Sequence, residues 1–263
     1  MVLRRLAKTS FAIADVLRGQ FAGPRILIYH QIGAGHGREM DVRPDCFVRQ
    51  LDWLEETHRE VVSIGEAIKR RGESGSDNLV VITFDDGYAD MHMNGFGILR
   101  DRHLPFTMYI TTAPIETRLG LSAERESTPL TWDQINEMAS EDLMTIAAHT
   151  HTHTDLRMID ADRIEQDLAI SDELIEAKTG VRPRHFAYPW GYWSLAADTV
   201  VRSRYTSAVL GGGPPITGAT DPFLLHRIPV QLSDGVGLFK QKVRRGQRSE
   251  EFVRRRISRY EGP

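Results

Sequence analysis

The sequence of 263 residues has little cysteine and no long apolar run. Its single cysteine, Cys46, cannot form an intramolecular disulfide, so we expect that folding does not depend on an oxidising compartment. No stretch approaches the ~20 apolar residues that a membrane span requires, so no membrane-spanning helix is expected. Internal repeats and low-complexity segments are absent as well. With 41% hydrophobic and 26% charged residues, the composition predicts a soluble globular protein with a sizeable core.

The sequence also lacks a strong charge of either sign, because its formal net charge is only −3. Its ends are nevertheless basic: residues 1–25 hold five basic side chains and one acidic one, and residues 238–263 hold nine and three. We interpret residues 1–23 as a basic amphipathic segment and not as a signal peptide. This segment would either cap the fold or lie on an anionic membrane surface. The basic tail could meet lipid headgroups, nucleic acid or an acidic polymer, or form a solvated helix. We expect no nucleic-acid partner, and we predict a cytoplasmic location or peripheral contact with the inner face of the membrane.

Apolar runs that predict buried strands alternate with patterns that predict helices. The predicted strands cover residues 25–29, 79–82, 105–110, 143–148, 184–188, 206–210 and 227–231. The predicted helices cover residues 45–59, 63–71, 93–102, a segment that begins at Thr131, and 160–178, with a polar loop at 113–129. This alternation predicts an α/β fold with a mostly parallel sheet and right-handed crossovers, curled or closed into a barrel.

Two adjacent carboxylates follow the predicted strand at 79–82. Asp85 and Asp86 belong to the sequence Thr-Phe-Asp-Asp-Gly at 83–87, in which Gly87 releases the backbone so that both side chains can reach one cavity. Carboxylates crowded at one point need a cation or hydrogen bonds to offset their repulsion. One of them can therefore hold a metal while its neighbour takes a proton from water. The motif is weak by itself, because Asp-Asp-Gly is also ordinary turn chemistry.

A second motif, His-Thr-His-Thr-His at 149–153, follows the predicted strand at 143–148. His149 and His153 are four residues apart, which brings their imidazoles to one side of a turn or helical start, whereas His151 should point elsewhere. With one aspartate they form a two-histidine, one-carboxylate set that leaves positions open on zinc or a similar divalent ion. The alternative is a polar loop that is rich in histidine. Both motifs end buried strands, where α/β barrels place their chemistry.

These residues resemble the polysaccharide deacetylase family of carbohydrate esterases, which includes chitin, peptidoglycan and chitooligosaccharide deacetylases. The resemblance covers roughly residues 24–235 and implies a distorted (β/α) barrel with about seven mostly parallel strands. It implies that Asp85 is the general base. It also implies that Asp86, His149 and His153 hold one divalent metal ion, zinc above all, with cobalt, nickel or manganese as alternatives.

The third family motif, Arg-X-Pro-Tyr-Gly, is represented here by Ala-Tyr-Pro-Trp-Gly at 187–191. The family arginine, which usually tethers the catalytic base, is missing at Ala187. Arg227 is the nearest candidate for a replacement, because a bidentate pair with a carboxylate would fix the orientation of Asp85. The backbone amide that helps to hold the oxyanion would come from Trp190, and this donor survives any change of side chain.

The family also needs a general acid, usually a histidine in a Leu-X-His motif near the carboxyl terminus. His226, at the end of Leu-Leu-His, is one candidate, and His30, which follows the strand at 25–29, is the other. A Tyr-His-X-Ile start resembles the subgroup of biofilm-polysaccharide deacetylases whose motifs are circularly permuted, so that the acid histidine comes first. We favour His30, because it stands at the same rim as the metal ligands, whereas His226 precedes the strand at 227–231 and should lie at the opposite rim.

The resemblance implies metal-assisted removal of N-acetyl groups from an amino-sugar glycan, with release of acetate. The glycan would be a polysaccharide, an oligosaccharide or a lipid-linked glycan. Four aromatic residues could stack on its sugar rings or pack in the core: Tyr188, Trp190, Tyr192 and Trp193. We predict a catalytic domain at 24–237 between the basic segment at 1–23 and the basic tail at 238–263. Two alternatives stay open: a hydrolase of another amide or ester on the same scaffold, and an inactive glycan-binding module.

Overall fold

The computed structural model describes Lys8, residues 23–119 and residues 127–246. Its strands are β1 (Arg25–Tyr29), β2 (Gln31–Ile32), β3 (Asp41–Val42), β4 (Glu60–Val61), β5 (Leu79–Phe84), β6 (Phe106–Ile110), β7 (Met144–Ala148), β8 (His185–Ala187), β9 (Ser207–Leu210), β10 (Leu225–His226) and β11 (Ile228–Pro229). Its α-helices are α1 (Pro44–Glu56), α2 (Ile64–Arg70), α3 (Gly97–Arg100), α4 (Thr112–Thr117), α5 (Trp132–Ala139), α6 (Ala161–Thr179), α7 (Leu195–Arg204) and α8 (Gly235–Arg245). A π-helical segment, Met91–Phe96, leads into α3.

The main sheet has nine strands in the order β10-β9-β8-β7-β6-β5-β1-β11, with β4 paired to the start of β5. All of these pairs are parallel, and one stretch of chain joins the two edges. Leu225 in β10 pairs with Val209 of β9, and Ile228 in β11 pairs with Leu27 of β1, with Arg227 between the two edge strands. The sheet is therefore nearly closed into a barrel with helices around it, and the predicted fold class is confirmed.

Three details differ from the sequence prediction. The strand predicted at 227–231 is two short strands, because the chain changes partner from β9 to β1 at Arg227. Two residues form β4, which is too short for a periodic signal. The predicted polar loop at 113–129 begins with α4, whose residues Pro114 and Ile115 are buried; proline suits the first turn of a helix, where no amide donor is needed.

The predicted helix ends are confirmed by their caps. Ser63 accepts a hydrogen bond from the backbone of Glu66 at the start of α2. Thr131 and Gln134 form a reciprocal capping box at the start of α5, which satisfies backbone donors that a helix leaves unpaired. At the end of α6, Gly180 adopts a left-handed φ of 72°, the usual conformation of a C-capping glycine.

Side chains of the strands alternate between the barrel interior and the surrounding helices, as the pleat of a strand requires. The interior is filled by one cluster of mostly small or medium side chains that includes Ile26, Val81, Tyr109, Ala147, Ala187, Val209 and Leu225. The alternate positions pack against the helices in a larger cluster, to which Leu27, Ile82 and Phe84 contribute. Small residues such as Ala147 and Ala187 leave room inside the barrel for longer polar side chains near its carboxyl rim.

The carboxyl boundary that we predicted at residue 237 is wrong, because it falls inside α8. Phe239 and Val243 of this helix are fully buried, and the Phe239 ring lies 5.9 Å from that of Trp53 in α1. The folded body therefore extends to at least Arg245. In the part of the chain that the structure describes, no helix has the length and apolar content of a membrane span. Of the amphipathic segment predicted at 1–23, the structure describes only Lys8 and residue 23. The tail from residue 247 onward also lies outside the described residues.

Candidate active site at the carboxyl ends of the strands

The two adjacent aspartates lie at the carboxyl end of β5. The backbone N–H of Asp85 donates to the carbonyl of Tyr29 at 3.1 Å, which extends the pairing with β1 by one residue. Asp86 and Gly87 then adopt left-handed φ angles of 74° and 83°. This reversal brings two successive carboxylates to the same cavity instead of to opposite faces of the sheet. Left-handed backbone at a residue other than glycine costs energy and is concentrated at functional sites.

The histidine motif forms a tight loop after β7. Thr150 and His153 have left-handed φ angles of 70° and 57°, and the backbone N–H of His153 donates to Thr150 Oγ1 at 2.9 Å. Asp167 of α6 holds this loop from below, because its carboxylate accepts from the backbone N–H groups of His151 at 2.7 Å and Thr152 at 3.2 Å. Asp167 was not predicted from the sequence. The feature that could have revealed it is its position on the buried face of the helix at 161–179, where an ionised side chain needs hydrogen-bond partners.

Asp86, His149 and His153 form the one group of potential metal ligands found in the described residues. Asp86 Oδ1 lies 3.4 Å from His149 Nε2 and 3.3 Å from His153 Nε2. Ligand atoms about 2.0–2.1 Å from a tetrahedral zinc ion are separated by about 3.3 Å, so these distances suit a shared ion. Asp86 Oδ1 is also buried without a hydrogen-bond donor among the described residues, which a cation would correct. The residues therefore fit a divalent metal.

The orientation of His149 is set by its second ring nitrogen. Nδ1 lies 2.7 Å from the carbonyl oxygen of Ala187, so it donates there and leaves Nε2 facing Asp86. His151 is oriented differently: its Nδ1 lies 2.8 Å from Thr112 Oγ1, outside the ligand group. The structure thus places the outer two histidines together and the middle one apart, as the spacing predicted.

The charges of the site suit cation binding. Burial raises the pKa of Asp86, but the nearby His149 and His153 rings lower it more, so this carboxyl is ionised well below its usual range. Burial lowers the pKa of His153 to about 4, which leaves a neutral imidazole at neutral pH. Burial also lowers the pKa of His149, but Asp85 and Asp86 outweigh it and raise that pKa above its usual value. A proton therefore competes with a metal for His149, and the metal affinity should fall at acid pH.

Arg227 and Asp85 form a bidentate pair at the floor of the site. Arg227 Nη1 and Nη2 donate to Asp85 Oδ1 and Oδ2, both at 2.6 Å, and each residue is only 2% exposed. Arg227 Nη1 also donates to Thr83 Oγ1 at 3.2 Å, and Nε donates to the carbonyl of Leu210 at 3.1 Å. Burial raises the pKa of Asp85, but Arg227 and His149 lower it more, so Asp85 is ionised at neutral pH.

Arg227 occupies the barrel interior toward which Ala187 also faces. Ala187 in β8 belongs to the interior cluster and pairs with Val209 of β9. Arg227 comes from the segment that closes the barrel, and its guanidinium lies 5.3 Å from the centre of the Tyr109 ring in the same cluster. An arginine therefore reaches Asp85 from the segment that closes the barrel rather than from position 187.

We expect Arg227→Met to lower the free energy of unfolding by about 3–5 kcal/mol, because it leaves the Asp85 carboxylate buried without a counter-charge. Adding Asp85→Asn should restore part of this loss, since an amide carries no charge. Urea unfolding of the metal-free proteins measures both changes. Arg49→Met is the control: its pair with Asp45 has side chains 60% and 51% exposed and should contribute at most about 1 kcal/mol. Equal losses for the two arginine variants would contradict the role assigned to Arg227.

A family model described as polysaccharide deacetylase matches residues 72–206, just over half of the chain. The chain belongs to the polysaccharide deacetylase family. The resemblance predicted from its motifs is therefore confirmed. The poly-beta-1,6-N-acetyl-D-glucosamine N-deacetylase of Escherichia coli K12 is 25% identical over 193 residues, which cover 60% of this chain but only 29% of that longer protein.

Solved structures show the same fold. IcaB from Ammonifex degensii is 22% identical, with a TM-score of 0.74 over 87% of this chain and 98% of that one. The deacetylase PplD from Streptococcus pyogenes, in complex with acetate, is 22% identical, with a TM-score of 0.73 over 85% and 99% of the two chains. At this identity the likeness concerns the fold alone. The family model includes both metal motifs and the third motif, whereas His30 and Arg227 lie outside it.

The third motif of this polysaccharide deacetylase forms a 3-10 turn, Pro189–Gly191, at the mouth of the cavity. Trp190 has a left-handed φ of 62°, and its ring centroid lies 5.1 Å from that of His153. A Cβ atom at Gly191 would meet the backbone nitrogen of Gly211 at 2.5 Å, so only glycine allows β9 to approach this closely. The turn therefore places Trp190 beside His153, one of the three potential metal ligands.

The prediction that four aromatic residues could contact sugar is wrong for Tyr188, which is fully buried and donates to Asp198 Oδ1 at 3.3 Å. Its side chain follows the outward alternation of β8 and packs in the core between sheet and helices. Trp193 is partly buried against the same core, and the Tyr192 ring is covered by Arg157 at 3.7 Å. Trp190 is the one of the four that lines the cavity, and it is 56% exposed.

The two candidate acids lie in different pockets. His30 follows β1 and lines the same cavity as the metal ligands. His226 lies in a separate small pocket beside Arg25 and Pro214. His226 pairs with Leu210, the last residue of β9, while the register of Ile228 with Leu27 places it beside Arg25, the first residue of β1. It therefore lies at the carboxyl end of β9 but at the amino end of β1, so the predicted position at the opposite rim applies to the β1 side alone. Its ring leaves the cavity because neighbouring residues of an extended chain alternate, and Arg227 takes the inward position.

Proposed function

We propose that this polysaccharide deacetylase is a metal-dependent N-deacetylase that hydrolyses N-acetyl groups of an amino-sugar glycan and releases acetate. The observation that carries the proposal is the pairing of a three-ligand group with an ionised, arginine-bound carboxylate in one cavity of about 460 Å³. A buried acid beside two imidazoles can hold a divalent ion, and the second acid stays available for proton transfer. Zinc suits this donor set best, with cobalt, nickel or manganese as alternatives.

When bound by Asp86, His149 and His153, the ion would supply Lewis acidity at the acetyl group. Asp85 accepts the proton of the attacking water as general base, and Arg227 keeps it ionised and oriented. The backbone N–H of Trp190 donates to the oxygen on which negative charge develops.

His30 completes the reaction as general acid. It donates a proton to the departing amine as the carbon–nitrogen bond breaks, and acetate and a free amino sugar are the products. Its support is its place in the cavity with the metal ligands, whereas His226 lies in the other pocket.

We propose β-1,6-linked poly-N-acetylglucosamine as the first substrate class to test, because one relative carries that name. Acetate release should be measured with zinc-loaded protein against β-1,6-linked and β-1,4-linked N-acetylglucosamine oligomers, peptidoglycan and acetylated xylan. Release from an N-acetylated glycan would support the proposal. Activity on xylan alone would show an O-ester hydrolase on the same scaffold, and tight glycan binding without acetate release would show a binding module. The presence of Asp85 and all three ligands favours the enzyme over the module.

We expect His30→Gln to keep its metal and its fold but to lose about 10²–10⁴-fold in turnover on amides, since an amine leaves poorly unless it is protonated. Hydrolysis of para-nitrophenyl acetate should change much less, because its leaving group needs no proton. His226→Ala is the matched control and should affect neither substrate strongly. Amide-selective loss in His226→Ala, with His30→Gln unchanged, would transfer the role of acid to His226.

A further inference from the structure

Gln231 lies beside the proposed acid and faces the cavity. It follows β11, in which Pro229 pairs with Ile28 of β1, and the backbone N–H of Val230 donates to Ile28 at 2.9 Å. Extending this parallel register by two residues places Gln231 next to His30. Both residues line the active-site cavity. A side chain at this position is within reach of the sugar that carries the reacting acetamide.

The carboxamide of Gln231 has a defined orientation. Its Oε1 accepts from Lys8 Nζ at 2.7 Å. An ammonium group can only donate, so it must face the oxygen of the amide and not its nitrogen. Among the residues that the structure describes, none accepts a hydrogen bond from Gln231 Nε2. Two N–H donors are therefore left for the cavity.

Lys8 is anchored by a buried polar network. Besides Gln231, its ammonium donates to Ser233 Oγ at 2.6 Å and to Asp234 Oδ1 at 2.8 Å, so all three of its protons are used. Asp234 is fully buried and also accepts from Lys242 Nζ at 2.7 Å and from the backbone N–H of Gln231 at 2.8 Å.

The network is also balanced in charge. Glu39 lies 3.7 Å from Lys8, so two cations, Lys8 and Lys242, face two anions, Asp234 and Glu39. Lys8 itself is only 8% exposed, which is unusual for a lysine and requires such partners. The Lys8 ammonium is therefore bound to residues 231–234, the segment of the cavity lining that contains Gln231.

We propose that Gln231 is a substrate-binding residue that donates from Nε2 to a hydroxyl oxygen of the sugar beside His30, and that Lys8 is the positioning residue that holds it there. This inference rests on the proposed deacetylase function. An amide that can only donate toward the cavity selects an acceptor oxygen, which every pyranose ring offers. It follows that the amino-terminal segment contributes to glycan affinity through Lys8.

The donor role is tested with Gln231→Met, which keeps the length of the side chain and removes both N–H groups. On a β-1,6-linked N-acetylglucosamine pentamer we expect the KM to rise about three- to tenfold, the loss of one hydrogen bond, with kcat little changed. Hydrolysis of para-nitrophenyl acetate, which has no sugar hydroxyl, should stay within about twofold of the wild type. An unchanged KM on the pentamer would overturn the donor role while leaving the deacetylase function in place.

The positioning role is tested with Lys8→Met in the full chain. We expect a similar rise in KM, together with faster hydrogen exchange of the backbone amides in residues 231–234, because the bonds that hold Gln231 and Asp234 are lost. Lys240→Met is the control: this lysine lies on α8 near the Trp53 ring and should change neither readout. Unchanged exchange and KM in Lys8→Met would overturn its role. If the wild-type protein neither deacetylates nor is inhibited by any N-acetylated glycan of the substrate panel, the proposed function and the donor role both fail, whereas the exchange result still decides whether Lys8 holds the turn.

Discussion

Purified Asp86→Ala, His149→Ala and His153→Ala proteins are expected to lose tight binding of a divalent metal. Each change removes one of the three side chains that converge on a single point, with Asp86 Oδ1 within 3.4 Å of both imidazole nitrogens. The loss should exceed the ~10–100-fold that removal of an outer-shell partner of a metal site typically costs. Elemental analysis after equilibration with zinc, with affinity from titration calorimetry, measures the effect.

His151→Ala is the control for these variants, because it lies in the same loop and its Nδ1 is directed to Thr112. It should retain metal like the wild type. A metal-free His151→Ala protein beside a metal-loaded His149→Ala protein would show that the ligand assignment is wrong. The titrations should also weaken below neutral pH, since the raised pKa of His149 means that a proton competes with the metal there.

Asp85→Asn is expected to keep its metal while acetate release falls by about 10²–10⁴-fold, the range typical of a lost general base. The substitution is nearly isosteric, and Asp85 is not among the three converging ligands. Its carboxylate oxygens instead face Arg227, so the amide removes the proton acceptor without opening the metal site. Metal content and acetate release are measured on the same preparation, so that binding and chemistry are separated.

Two results would contradict this assignment of Asp85. Retention of more than a third of the wild-type acetate release would remove it from the role of base. Loss of metal in parallel with activity would instead make it a ligand. The double variant Asp85→Asn, Arg227→Met controls for the unpaired guanidinium: it should be as inactive as Asp85→Asn, because the base is already absent.

Arg227 contacts Asp85 although the arginine of the family motif is missing from this chain. The motif arginine would arise from β8, where this chain has Ala187, yet the guanidinium reaches Asp85 from a residue 142 positions away in sequence. The replacement was predicted because an anionic base needs a fixed partner, and the structure shows the contact.

Local sequence determined the two motifs of the candidate site, because Thr-Phe-Asp-Asp-Gly at 83–87 and His-Thr-His-Thr-His at 149–153 each come at the end of an apolar run that predicts a strand. Parallel strands end at the same rim, so their terminal side chains must meet there whatever the detailed packing. The helix caps at Ser63 and Thr131 were also predictable from the sequence, since each depends on a residue three positions further on.

Only the tertiary structure decided which residues from distant parts of the chain complete the site. The closure of the barrel turns Arg227 inward and His226 outward. The sequence prediction began this strand at residue 227, two residues after the observed start at Leu225, so it did not include His226 in the alternation. Tyr188 and Trp190 stand two apart in one aromatic motif, yet one is fully buried and the other is 56% exposed, because Trp190 lies in the 3-10 turn that begins after Tyr188. The sequence pattern shows the period of a strand but not which distant part of the chain packs against it. The burial of Tyr188, the closure of the barrel at Arg227 and the contact of Lys8 with Gln231 all depend on such distant parts.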